Sequence, residues 1–197
     1  MTSSVLDTKT KILKATIELL EASQGRGVRM TDIAKQAGVS RQALYLHFAT
    51  RVDLLISATY YLDELLGSDE RLLASREATT GIARLDAFVE NWADYIPEIY
   101  GIAKALLIMR DTDAEAAKAW DDRMLDMRDG CAAAISALAA DNMLAKAYAP
   151  EQATDLLWMM LSVRNWELLT IQQGWSQERY RENLMIMARR TLVAASA

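Results

Sequence analysis

The chain has 197 residues and a formal net charge of −5, with 52% apolar and 25% charged residues, the balance of a globular protein rather than a disordered one and enough length for a small and a larger domain. One cysteine, Cys131, and one histidine, His47, exclude a disulfide framework, a Cys/His zinc site, a Cys–His pair and a convincing Ser-His-Asp triad, so no metal, no cofactor and no enzymatic activity are expected. No apolar run nears the roughly 18 residues of a membrane span, and MTSSVLDTKTK has no apolar signal region, which predicts no membrane partner and a cytoplasmic location.

Two prolines, eight glycines and no sustained period-two alternation predict an all-α chain. A first helix is expected from about Asp7 to Ala22, with Ile12, Leu13, Thr16, Ile17, Leu19 and Leu20 on one stripe, stopped by Gly25 and Gly27. A short helix follows at about Met30–Gln36, Gly38 makes the turn, and Ser40 caps a third helix over Arg41–Phe48. Thr50 and Asp53 carry the capping-box spacing for a fourth helix reaching about Leu66, and the polar stretch 67–80 reads as a connector. Beyond it the pattern predicts helices at about Gly81–Ile96, Glu98–Arg110, Asp113–Ala140, Pro150–Gln173 and Gln177–Ala195. Pro97 separates the first two, Thr112 with Glu115 caps the third, and Gly174 with Ser176 ends the fourth and starts the fifth. The expected architecture is an N-terminal three-helix helix-turn-helix domain, residues 1–50, and a C-terminal bundle of about six helices, residues 51–197, with the helix at about 51–66 as connector.

The segment MTDIAKQAGVSRQALYLHF, Met30–Phe48, carries the chemistry. A helix-turn-helix lays its second helix in the major groove while the opposite face locks it to the core. Ala43, Leu44 and Phe48 take the inner side, leaving Ser40, Arg41, Gln42, Tyr45 and His47 outward. Arg41 suits a guanine edge or a phosphate, and Gln42 an adenine edge. Tyr45, His47 and Arg51 suit phosphates. Charge agrees with this placement: residues 1–60 hold eight Lys/Arg against five Asp/Glu, whereas the remainder carries a balance of −8. Phosphate neutralisation depends on that local excess, so an acidic chain is no obstacle.

Ile33-Ala34, Ala37-Gly38-Val39-Ser40 and Leu44-Tyr45-x-His47-Phe48, with Arg51 and Leu54-Leu55 beyond, resemble the TetR family of bacterial transcriptional repressors over about residues 8–56. The resemblance implies a homodimer that binds a palindromic double-stranded DNA operator, pairs through its last two long helices and releases DNA when a small molecule enters the second domain. It places Thr31, Ser40, Arg41, Gln42, Tyr45, His47 and Arg51 at DNA-contact positions. Two residues depart from the family pattern. Arg29 stands where a Thr or Ser commonly caps the second helix and adds a phosphate donor, and Arg51 replaces the Lys usual after the Phe.

For the C-terminal domain, two stripes suit a dimer made by the helices at about 150–173 and 177–195: Leu157, Met160, Leu161, Leu168 and Ile171, and Tyr180, Leu184, Met187, Ala188 and Thr191. Trp92, Tyr95, Trp120, Met124, Met127, Trp158 and Met159 are candidate pocket residues for an apolar or aromatic effector. Arg164 interrupts an apolar run, either to meet an anionic effector or to pair with Glu167 at i, i+3. The competing reading is a helical small-molecule-binding or enzymatic domain in which the N-terminal motif is only structural. The position of His47 on a short helix among Tyr and Arg, rather than in a pocket, speaks against it.

Overall fold

The computed structural model describes residues 2–195, with side chains from residue 7 onward. It is all-α: α1 (Thr2–Ala22), α2 (Met30–Gln36), α3 (Arg41–His47), α4 (Arg51–Leu66), α5 (Ser68–Arg71), α6 (Leu73–Arg76), α7 (Gly81–Met109), α8 (Ala114–Ala140), α9 (Pro150–Met160), α10 (Val163–Trp166, continued as a π-helix over Glu167–Gln172) and α11 (Gln177–Leu192). The described residues form two compact units. One holds the chain up to Gly67 with Ile99–Asp122, and the other holds Ser68–Glu98 with the chain from Arg123 on.

In the first unit Ile12, Leu20, Ile33, Leu44, Phe48, Leu54 and Leu55 are fully buried, so α1 to α4 share one core built from the stripes the sequence marks. The expected caps form. Ser40 Oγ accepts from the Ala43 N–H at 3.1 Å and Thr50 Oγ1 from the Asp53 N–H at 3.0 Å. Asp53 accepts from the Ala49 N–H, one residue before the cap, where a capping box would use the N–H of Thr50. After α1 the chain turns through Gly25 at φ +75°, where a Cβ would stand 2.5 Å from the Gly101 carbonyl oxygen. A Cβ on Gly101 would in turn stand 2.6 Å from that of Leu20. The end of α1 and the second part of α7 therefore meet backbone to backbone, which only glycine permits.

Beyond α4 the sequence reading needs four corrections. Pro97 does not divide a helix; α7 runs through it from Gly81 to Met109. A proline has no N–H for the carbonyl four residues back, which here is Ala93. Gln177 Nε2 donates to that oxygen at 2.7 Å, and Gln177 Oε1 accepts from Trp166 Nε1 at 2.9 Å. The lost backbone bond is replaced from 84 residues away, and the helix continues. The helix expected over 150–173 is interrupted instead. Ser162 caps a restart by accepting from the Arg164 N–H, while the freed Leu161 and Met159 carbonyls accept from Trp92 Nε1 and Asn165 Nδ2. The cap of α8 is Asp113, which accepts from the Glu115 and Ala116 N–H groups; Thr112 bonds back to the Met109 carbonyl. The 67–80 connector contains α5 and α6, and Ser75 is buried there with its hydroxyl donating to the Arg84 carbonyl.

α11 lies antiparallel to the first part of α7. Arg189 forks onto Asp86, and Arg181 approaches Asp94 at 3.6 Å and Glu90 at 3.9 Å. The expected dimer stripes are consequently only half available. Leu157, Met160, Leu161, Tyr180, Leu184 and Ala188 are buried in the unit's own core, whereas Leu168, Ile171 and Met187 remain exposed beside Trp158, Met159 and Ile186.

Candidate nucleic-acid interface

The turn between α2 and α3 is closed by backbone alone. Gly38 sits at φ +67°, and the Val39 N–H reaches back to the Ala34 carbonyl at 3.0 Å, the left-handed helix stop that a residue with a Cβ resists. Ser40 then starts α3 with extended backbone and an accepting hydroxyl. Leu44 and Phe48 are buried, so α3 is pinned by one side. Its other side holds Arg41, Gln42, Tyr45 and Leu46 in the open, with Ala43 and His47 half-buried.

Arg41 lies over the Tyr45 ring at 5.5 Å, an i, i+4 cation–π contact that holds the guanidinium against the helix surface, where its N–H fork faces outward. His47 sits beside Phe48, with ring centroids 6.4 Å apart. Arg51, half-buried at the N-terminus of α4, has its pKa lowered by burial, and it keeps its charge all the same. It stands at a helix N-terminus, where the helix dipole favours anions. Thr31 is exposed in the first turn of α2. Arg29 is already engaged: its Nε and Nη2 fork onto the Asp32 carboxylate at 2.9 and 3.1 Å. That carboxylate also accepts the Arg29 backbone N–H, the reciprocal half of a capping box rather than the first-turn bond that a Thr or Ser hydroxyl in place of Arg29 would accept. The Asp32 carboxyl is held below its usual range, first by the hydrogen bond from Arg29.

Two residues on this surface escape the motif reading. Lys9 Nζ lies 5.8 Å over the Phe48 ring and brings a cation from α1 to the end of α3. Leu46 is 80% exposed. Helical spacing alone would have found it, since it stands four residues after Gln42, on the face assigned to DNA.

The effector candidates fall in both units. Trp120 belongs to the first unit and is buried, while the other seven belong to the second. There Trp92 and Tyr95 pack with centroids 6.0 Å apart, Met127 is buried and Met124 half-buried. Arg71 lies over Tyr95 at 5.4 Å and forks onto Glu98 at 2.7 and 2.9 Å, so a cation already rests on that ring. Trp158, Met159 and Arg164 are exposed, and Glu167, three residues after Arg164, is buried. Burial pushes the Cys131 thiol up to about 12, which keeps it protonated and unreactive. Among the described residues no group of three His, Cys, Asp or Glu side chains is arranged to hold a metal ion, and no helix is long and apolar enough to cross a membrane.

The family model described as bacterial regulatory proteins, tetR family, matches residues 12–58, which hold every residue of this surface named above except Lys9. Over those residues the chain is similar to the tetR family, and beyond them the likeness to it is one of fold. Members of the family are DNA-binding transcriptional regulators rather than enzymes. The nucleoid occlusion factor SlmA of Marinomonas sp. (strain MWYL1) is 32% identical over 106 residues, 54% of this chain and 53% of that protein, so the match spans about half the relative's length. Solved structures of the same fold cover nearly everything. A transcriptional regulator from Saccharomonospora viridis in complex with choline superposes with a TM-score of 0.81 at 17% identity, over 95% of this chain and 98% of that one. NalD of Pseudomonas aeruginosa, described as the secondary repressor of the MexAB-OprM multidrug efflux pump, gives 0.65 at 19% identity, over 98% and 100%.

Proposed function

We propose that this protein is a homodimeric repressor of the tetR family that holds a palindromic operator through paired α3 helices and leaves it when a small apolar or aromatic molecule binds. The observation that carries the reading is α3 itself: a Ser40-capped helix, pinned by Leu44 and Phe48, with Arg41, Gln42 and Tyr45 outward. Arg41 and Gln42 read bases; Tyr45, His47, Arg51, Thr31, Ser40 and the Asp32-tethered Arg29 meet the backbone. Residues 1–50 act as the reading head, and residues 51–197 as sensor and dimeriser.

Dimerisation is supported by the exposed apolar set Trp158, Met159, Leu168, Ile171, Ile186 and Met187 on the last two long helical segments, where a second copy would remove it from water. Effector binding is supported by the Trp92–Tyr95 pair and by the choline held by the Saccharomonospora viridis neighbour. The repressor role follows NalD's description. Selection from a random duplex pool by the full-length protein tests the proposal. An inverted repeat is expected, with half-site centres roughly 34–36 Å apart or a multiple of that, and a metabolite screen is expected to find a compound that releases it. Enrichment of no sequence at low salt would refute DNA reading, and enrichment of a single unrepeated site would refute the dimer.

A further inference from the structure

Leu46 is more exposed than any other large apolar side chain among the described residues, at 80% against 67% for Tyr60. It does nothing for the fold, because a side chain that stays in water adds almost no burial energy. Its position is nonetheless fixed. α3 is locked by its cap and by Leu44 and Phe48, so Leu46 projects one helical turn beyond Gln42, on the same face. On the reading of α3 given above, that face enters the major groove. Every base edge there offers hydrogen-bond donors or acceptors, and the one apolar feature is the C5-methyl group of thymine.

We propose that Leu46 is a specificity-determining residue that packs on a thymine methyl within two base steps of the pair read by Gln42. Apolar against apolar is the contact the groove allows such a side chain. A cytosine or guanine at that step would leave the leucine facing polar edges, with its methyl groups still desolvated by the closing interface. The guanidinium of neighbouring Arg41 is engaged with the Tyr45 ring, 5.5 Å from its centroid. This inference rests on α3 being the DNA-reading helix, and the test separates the two claims.

The operator selected by the full-length protein is resynthesised with deoxyuridine replacing thymidine at one symmetric pair of positions at a time, which removes the methyl and no hydrogen bond. For the natural sequence, one such pair of positions is expected to weaken binding about fourfold per half-site, the value of one buried methylene-sized contact. L46A is expected to bind thymidine and deoxyuridine duplexes equally, at the affinity the natural protein shows for the deoxyuridine one. Circular dichroism should be unchanged, since the replaced side chain is in water. Indifference of the natural protein to every deoxyuridine substitution, or full discrimination retained by L46A, overturns the role of Leu46 while leaving operator binding intact. Failure of the natural protein to bind any duplex overturns the DNA-reading assignment and the role of Leu46 with it.

Discussion

Replacing Gln177 by alanine removes two hydrogen bonds together, and one of them stands in for a bond that Pro97 cannot make. In the native chain Gln177 Nε2 donates to the Ala93 carbonyl at 2.7 Å, and its Oε1 accepts from Trp166 Nε1 at 2.9 Å. Each stranded group costs about 1–3 kcal/mol when fully buried. Both bonds are part-buried, so about 1 kcal/mol apiece is appropriate, and Q177A should lose about 2 kcal/mol. For a chain of this size that lowers Tm by roughly 4–8 °C. P97A supplies an N–H aimed at the Ala93 carbonyl and should be neutral or mildly stabilising. In the P97A background only the Trp166 bond remains at stake, so Q177A should cost about 1 kcal/mol. The coupling between the two sites is therefore about 1 kcal/mol, measured by urea unfolding of the four proteins as a double-mutant cycle. An equal cost of Q177A in both backgrounds would show that the side chain does not replace the missing backbone bond.

Three further outcomes follow from the same structure. G101A puts a Cβ 2.6 Å from the Leu20 carbonyl oxygen, and neither backbone can yield; overpacking should exceed the alanine helix preference and leave a net loss of about 1–2 kcal/mol by urea denaturation. Cys131 is buried, with its thiol pushed up to about 12, so it should stay unlabelled by iodoacetamide at pH 8 in the native protein and react once urea unfolds the chain. Rapid native labelling would contradict its burial. M187E places a charge on the exposed apolar set of α11 and should turn a dimer into monomers in analytical ultracentrifugation without changing the helical signal; an unchanged sedimentation coefficient would move the dimer face elsewhere.

The first unit was legible because its signals are local. Ser40, Thr50 and Asp53 bond backbone N–H groups within four residues of themselves, and the Ala-Gly-Val-Ser turn is a backbone requirement written in four letters. The second unit resists for the opposite reason. Pro97 is a reliable helix breaker until a side chain 84 residues from Ala93 takes its place, and the break at Leu161–Ser162 depends on Trp92, 69 residues away. Periodicity finds apolar stripes on α9 and α11 but cannot say which half a monomer buries. Leu157 and Leu184 went inward, and Met159 and Met187 stayed out. Leu46 is silent in a pattern of polar side chains, although the groove also presents a methyl.

The central claim is that α3 reads bases while α4 holds the backbone, and the direct measurement compares R41A with R51A. Fluorescence anisotropy of the selected operator and of a scrambled duplex, across a salt series, gives affinity and salt slope for each. R41A should lose about 1–3 kcal/mol on the operator and little on the scrambled duplex, while R51A should weaken both alike and lower the salt slope by about one unit. Equal losses on both duplexes from R41A would contradict the claim that this helix reads sequence.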